Sequence, residues 1–138
     1  MKRLVTLLVT ALLMTAALCV SASAADYQSA AEDLSAIGMF RGTVSGGFEL
    51  DRAPKRSEAA IMLVRLYGAE EEAAAAYQSG EISHPFKDVG PIASPYVAWL
   101  YTKGITKGAT ATTFNSNAAC TDKNYVVFLL RALGYEDG

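Results

Sequence analysis

The 138-residue sequence has few of the residues that most catalytic, metal and nucleic-acid sites need. It has one histidine, His84, and two cysteines, and no block of Lys and Arg that would neutralise phosphates. No His, Ser and acid set, glycine-rich phosphate loop or His–Cys cluster stands at a spacing typical of catalysis or metal binding. We therefore expect no enzyme, no cofactor and no metal, and an inert His84. A pair of carboxylates that meet in the fold to hydrolyse a glycan stays open as an alternative.

The segment from Met1 to Ala24 has the pattern of a secretory signal peptide. A short basic start precedes an apolar run over residues 4–20, and residues 22–24 are small, as a signal peptidase requires. We place the cut after Ala24. Two alternatives stay open: the run is long enough to serve as an uncleaved membrane anchor, and Cys19 could carry a lipid, although Leu18 before it is larger than lipid attachment favours.

Cleavage after Ala24 leaves a mildly acidic chain that suits one compact domain. It removes Lys2 and Arg3, so the formal net charge changes from −2 to −4. That charge argues against nucleic acid, and against adhesion to anionic lipid by charge alone. Cys120 is then the one remaining cysteine. We expect no intrachain disulfide, so stability must come from packing.

The sequence repeats itself at a constant offset, the one that separates Gly38 from Gly104. Phe and Arg residues recur at this offset together with three glycine pairs and several apolar pairs, which is more than chance explains. The clearest pairs are Gly38 and Gly104, Gly42 and Gly108, Phe48 and Phe114, Leu63 and Leu129, Arg65 and Arg131, and Gly68 and Gly134. We call residues 25–68 copy one and residues 85–138 copy two.

The pattern of each copy predicts a helix, a glycine-bounded loop and a second helix. The sequence therefore predicts an all-α fold of two tandem helix-loop-helix repeats. The first helices end at Gly38 and Gly104, and Ser94 is the predicted N-cap of the one in copy two. The second helices have apolar residues at relative positions 0, 3, 4, 7 and 8, starting from Ala59 and Tyr125.

Residues 69–84 join the copies as a linker or a short linking helix. Three glutamates precede four alanines, a pattern that favours a helix start, and Gly80 ends the segment. The segment has few large apolar residues. We therefore expect a weakly amphipathic helix or a mobile spacer that takes no part in the core.

The motifs resemble the S-layer homology family, whose repeat has a Phe-x-Asp-Val opening, a Gly-Ile-x-x-Gly turn and a helix opened by Thr-Arg-Ala-Glu. Copy two has Phe-Lys-Asp-Val at 86–89 and Gly-Ile-Thr-Lys-Gly at 104–108, and copy one has Lys-Arg-Ser-Glu at 55–58. Copy one lacks the opening motif, since its place falls inside the predicted signal peptide. Each copy has half of a capping box, Glu58 in one and Thr121 in the other.

The resemblance implies binding of an acidic cell-wall polysaccharide, with the motif arginine as the anion contact. Only Arg56 matches that arginine, because copy two has Asp122 in its place. Free backbone donors and the helix dipole at a helix start would favour an anion beside Arg56. The plain alternative is a solvated residue in the first turn.

Four further residues are candidates for the same ligand: Glu58, Asp88, Tyr96 and Trp99. Asp88 either braces its turn or contacts a sugar hydroxyl. The two aromatic rings either stack on sugar or pack in the fold.

Two functions follow from these patterns. The first is a secreted bacterial surface module that attaches non-covalently to wall polysaccharide. The second is an assembly module that pairs with itself or with another S-layer homology protein, which the absence of a third repeat favours because about three units usually complete a core.

Overall fold

The computed structural model describes residues 26–43 and 46–135, and the predicted signal peptide lies outside them. The described part contains five α-helices and no strand: α1 (Asp26–Ala36), α2 (Arg56–Leu66), α3 (Glu70–Gln78), α4 (Ser94–Thr102) and α5 (Asp122–Ala132). Its one β-type pairing is an isolated antiparallel bridge between Lys55 and Ala119. The prediction of an all-α fold is confirmed. No described helix has the length and hydropathy needed to cross a membrane.

The chain divides into two compact units, which we describe separately. The first ends at Phe40 and contains α1, and the second begins at Arg41 and contains α2 to α5.

The backbone of the two copies repeats at the same offset as the sequence. Helices α2 and α5 begin and end at equivalent residues. The two non-glycine residues with positive φ in the described part are also equivalent, Glu49 at 48° and Asn115 at 62°. The first helix ends with the same hydrogen bond in both copies. The amides of Gly38 and Gly104 each donate to the carbonyl three residues earlier, at 2.9 and 3.0 Å. The repeated residues therefore encode a repeated local structure.

The core of the second unit lies between α2, α3 and α4. Leu63 of α2 and Leu100 of α4 are fully buried, and Leu129 of α5 is half-buried against the same cluster. Large aromatic rings extend this core toward α5, with Phe114 and Phe128 almost completely buried. The apolar stripes that the sequence predicts on α2 and α5 thus face the interior in part, through Leu63, Phe128 and Leu129, whereas Leu66, Tyr67 and Leu133 at their ends are exposed.

Helix α3 is a core element, so the expectation of a spacer outside the core is wrong. Ala73 is fully buried, and α3 packs against both α4 and α2. Small side chains make this possible, because a methyl group lets two helix backbones approach closely. The low content of large apolar residues in α3 therefore reflects close packing.

Helix α4 starts one residue earlier than its predicted cap implies. Ser94 is the first helical residue and Ala93 takes the N-cap position. The Ser94 hydroxyl donates to the Gly90 carbonyl at 3.1 Å, so it does not accept a bond from the helix start as an N-cap side chain does.

Candidate functional site

The start of α2 is joined to the loop of residues 114–118 by backbone hydrogen bonds. The Arg56 amide donates to the Ala118 carbonyl at 2.8 Å, and the Ser57 amide donates to the Ser116 carbonyl at 3.1 Å. We call this contact region the junction. Because both amides already have partners, these two donors are not free to bind an anion, contrary to the expectation for the start of α2.

Asp88 braces the loop of the junction. Its carboxylate accepts hydrogen bonds from the amides of Phe114, Asn115 and Ser116 at 2.7, 2.7 and 3.2 Å. Partial desolvation alone would raise the pKa of Asp88, but the backbone donors outweigh it and hold the pKa below its ordinary value. The prediction placed a brace on the turn after Phe86, whereas the structure shows Asp88 bracing a loop well separated from it along the chain.

Glu58 provides half of a capping box at the start of α2. Its carboxylate accepts from the Lys55 amide at 2.7 Å and from the Arg52 guanidinium at 2.7 and 2.9 Å. The Arg52 guanidinium is the main reason that the pKa of Glu58 is lowered. Lys55 has no side-chain acceptor for the other half of the box. Glu58 thus stabilises the helix start, and its carboxylate is already engaged.

Copy two has the other half of the capping box, at the start of α5. The Thr121 hydroxyl, at the N-cap of α5, accepts from the Asn124 amide at 3.3 Å. Asn124 stands where the acid of a complete box would be. Asp122, the equivalent of Arg56, is exposed in the first turn of α5. The predicted half-boxes are both present.

The Arg56 side chain lies between two aromatic rings. Its guanidinium carbon is 4.8 Å from the centre of the Phe114 ring and 4.7 Å from that of the Phe128 ring. These distances are typical of cation–π contacts, and Arg56 keeps only 9% of its surface exposed. The alternative of a solvated first-turn residue is therefore wrong.

The charge of Arg56 is not neutralised within the described part of the chain. Its Nε is buried without a hydrogen-bond partner there, and no ion pair to Arg56 is formed there. Desolvation is the main reason that the pKa of Arg56 is lowered; the nearby Cys120 opposes this shift, and the charge of Arg131 adds to it. The hydroxyl of Ser116, across the junction, is also buried without a partner. In the described part of the chain, the junction therefore holds an enclosed guanidinium without an ion-pair partner, whose Nε has no hydrogen bond, and a Ser116 hydroxyl that also has none.

Tyr96 and Trp99 bind α3 and do not reach the junction through any described contact. The Tyr96 hydroxyl donates to Glu70 at 2.6 Å, and the Trp99 indole donates to Glu72 at 2.9 Å. Trp99 is 6% exposed, and its ring lies 5.3 Å from that of Tyr67. Of the two roles left open for these rings, the geometry favours packing.

His84 lies in a stack of rings. Its centre is 6.4 Å from that of Tyr77 and 5.5 Å from that of Phe86. Its Nδ1 accepts from the Phe86 amide at 3.1 Å, and burial lowers its pKa. In the described residues, no three His, Cys, Asp or Glu side chains stand close enough to hold a metal ion.

Sequence reasoning identified Arg56 but missed the residues that surround it. The apolar spacing of α5 predicts that Phe128 packs in the fold, the repeat only pairs Phe114 with Phe48, and no pattern points to Ser116. Helical spacing shows that Phe128 is buried, but it cannot show that an arginine from the equivalent helix of copy one inserts beside it. The enclosure of Arg56 by the two rings is visible only in the tertiary structure, where α2 contacts the loop of residues 114–118.

A comparison with family models identifies part of copy two. The model described as the S-layer homology domain matches residues 85–121. This segment is similar to the S-layer homology domain. The match runs from the Phe-x-Asp-Val opening through α4 and Phe114 to Thr121, so the resemblance is confirmed for this segment. For copy one the resemblance stays a prediction.

The S-layer homology domain is a non-catalytic module that associates proteins with the bacterial cell surface, generally by binding cell-wall polymers. No curated protein matches the chain. In this domain, residues 114–118 supply one side of the junction, and Arg56 of copy one supplies the other.

Proposed function

We propose that the chain is an exported protein that attaches non-covalently to an acidic polysaccharide of the bacterial cell wall, with the guanidinium of Arg56 as the anion contact. The observation that carries this proposal is the enclosed and unneutralised cation at the junction. A carboxylate on the polymer would supply the missing negative charge. The membership of residues 85–121 in a wall-associated domain family supports the same conclusion.

The surroundings of Arg56 suit recognition of a carboxylate. Two rings remove water from the faces of the guanidinium, and a charge-assisted hydrogen bond is stronger where the local dielectric is low. An arginine held in one plane also loses little side-chain freedom when it binds. The unpartnered Ser116 hydroxyl offers a second contact, suited to a sugar hydroxyl.

Two of the other candidate residues hold this site in place. Asp88 fixes the loop that carries Phe114 and Ser116, and Glu58 fixes the start of α2. We assign these two residues a positioning role. Tyr96 and Trp99 fix α3 against α4, and we assign them a role in packing alone. The equivalent place in copy two has Asp122, which repels an acidic polymer, so we propose one such site in each chain.

Sedimentation with purified wall material tests the proposal. We expect the chain, expressed with its leader and recovered after export, to sediment with the wall and to stay in solution when the acidic groups of the wall polymer are chemically reduced. This part needs no variant. Sedimentation that is unchanged by reduction of those groups would contradict the proposal.

Two variants then locate the contact. Arg56→Gln should weaken wall binding by roughly tenfold or more, because a buried charge–charge contact is lost. Arg41→Gln is the matched control. It also removes one arginine charge, but Arg41 pairs with Glu70 on α3, away from the junction. Circular dichroism shows whether each variant folds.

A third variant tests the hydroxyl of the junction. Ser116→Ala, which keeps the charge and changes only a hydroxyl, should weaken binding by a smaller factor. Equal loss in the Arg41 and Arg56 variants would overturn the assignment.

A further inference from the structure

The contacts of His84 require a neutral imidazole. Its Nδ1 accepts a hydrogen bond from the Phe86 amide at 3.1 Å, and a ring nitrogen that accepts carries no proton. The proton of the neutral ring is therefore on Nε2, which is buried without a hydrogen-bond partner in the part of the chain that the structure describes. A second proton would turn Nδ1 into a donor that faces the donor of Phe86. Protonation therefore breaks this contact.

The same imidazole is stacked between two aromatic rings. Its plane lies at 14° to that of Tyr77 on α3 and at 18° to that of Phe86. Ring faces attract a cation, but an imidazolium held here would have one N–H facing another donor and a second one buried without a partner. Water would satisfy both groups, so the charged ring is better placed outside the stack.

The titratable groups around His84 do not provide the missing partner. Asp88 acts on His84 by its charge, which favours protonation, but burial outweighs it and lowers the pKa of His84. The Asp88 carboxylate is held by three amides of the loop at 114–116, and its lowered pKa keeps it charged in mild acid. The phenol hydroxyls of Tyr77 and of Tyr101, whose ring contacts Phe86, stay neutral there. His84 is therefore the group of this stack that changes its charge in mild acid.

Phe86 connects His84 to the junction. Its ring is buried, lies 5.7 Å from the Phe114 ring and fills the space beside Gly108, where a Cβ would lie 2.2 Å from it. The Phe114 ring in turn lies 4.8 Å from the guanidinium carbon of Arg56. Departure of the imidazole would remove the ring that stacks on Phe86, and with it part of the support for the ring that encloses Arg56.

We propose that His84 is an acid-sensitive switch: when its imidazole takes up a second proton it leaves the stack, Phe86 loosens, and the enclosure of Arg56 at the junction opens. The consequence for wall attachment rests on the proposed function. The apparent affinity of a site falls with the fraction of molecules in which the site is formed, so mild acid weakens attachment. This role differs from the inert one that the sequence predicts for His84.

An NMR titration of the untagged exported chain, without polymer, tests the switch itself. The sequence has one histidine, so the imidazole signal of His84 is identified directly. We expect its midpoint below the ordinary value of 6.5, and we expect the signals of the Phe86 amide and the Arg56 Nε–H group to shift with the same midpoint. A midpoint at or above 6.5, or an Arg56 signal that does not follow His84, overturns the proposal.

Wall sedimentation of the unaltered chain and of His84→Asn tests the effect on binding. The asparagine oxygen takes the place of Nδ1 and accepts from the Phe86 amide at any pH. From about pH 7.5 to about pH 5 the polymer keeps its carboxylate charge, because carboxylates titrate near 4. We expect the unaltered chain to bind at least roughly threefold more weakly at the lower pH, and His84→Asn to bind equally at both. Equal losses in the two chains, or no loss in the unaltered one, overturn the proposal.

The switch and the wall-binding proposal fail separately. A chain that does not bind the wall at neutral pH contradicts wall attachment alone, because the NMR titration needs no polymer. A chain that binds equally at both pH values contradicts the switch alone. If His84→Asn does not fold, the titration of the unaltered chain decides.

Discussion

The second helices of the two copies, α2 and α5, begin and end at equivalent residues but have different surroundings, and the difference shows what determines burial in this molecule. Leu63 and Leu129 occupy equivalent places on α2 and α5, yet the first is fully buried and the second only half-buried. The cause is the next helix along the chain, since α2 is covered by α3 and α4, whereas none of the described helices packs extensively on α5. Burial therefore follows from the neighbours of a helix more than from its own pattern.

The same comparison separates the copies chemically. Arg56 and Asp122 both open a second helix, but Arg56 inserts between two phenylalanine rings and Asp122 is exposed. One chemical role therefore cannot be assigned to both copies from their shared backbone.

Truncation of the two equivalent leucines should give the largest difference between the copies. We expect Leu63→Ala to lower the free energy of unfolding by about 4 kcal/mol, because it leaves a cavity in a closed core. Leu129→Ala should cost about 2 kcal/mol, since its site is already partly open. Urea unfolding followed by circular dichroism measures both. Equal losses would contradict the view that neighbours determine the burial of each helix.

Substitution of the equivalent glycines, Gly42 and Gly108, should give the next largest effects on stability. A Cβ at Gly108 would lie 2.2 Å from the Phe86 ring, and one at Gly42 would lie 2.8 Å from the Gly47 carbonyl oxygen. Both glycines have positive φ, so alanine also strains the backbone. We expect Gly108→Ala to cost about 3 kcal/mol and Gly42→Ala about 2 kcal/mol in the same unfolding measurement.

Gly104→Ala is the control for these glycines. Its φ is 73° but a Cβ there meets nothing within 4 Å. It should therefore cost only about 1 kcal/mol, the strain of the backbone alone. A cost equal to that of Gly108→Ala would show that the clash with Phe86 relaxes freely.

The half-boxes should give the smallest effects, and these should differ with pH. Thr121→Ala and Glu58→Ala should each cost about 1 kcal/mol at pH 7. Because the pKa of Glu58 is lowered, its contribution is present above the ordinary value of 4.5 and is lost as the pH falls through the lowered value. Thr121 does not titrate, so the cost of Thr121→Ala should be constant over that range. A constant cost for Glu58→Ala down to pH 2 would contradict this account.

The repeat, the helices and the half-boxes could be predicted from the sequence because each depends on residues close together in the chain. Gly38 and Gly104 end their helices by local hydrogen bonds, and Glu58 and Thr121 cap theirs within one turn. These features need no knowledge of tertiary packing.

Features that join distant segments could not be predicted in the same way. The role of α3 in the core depends on close approach to α4, which alanine content alone does not reveal. The brace from Asp88 to residues 114–116 and the insertion of Arg56 beside Phe128 both connect parts of the chain that no local pattern links. The contacts that enclose Arg56 and brace its loop are therefore a property of the tertiary structure.

The most direct test of the central claim is the NMR signal of the Arg56 Nε–H group during titration with wall polysaccharide. This group is buried without a partner in the described structure, so a carboxylate that reaches it must change its chemical environment. We predict that the Arg56 signal shifts in proportion to bound polymer and that the Arg41 signal stays in place. A chain that binds the polymer while the Arg56 signal stays unchanged would contradict the account.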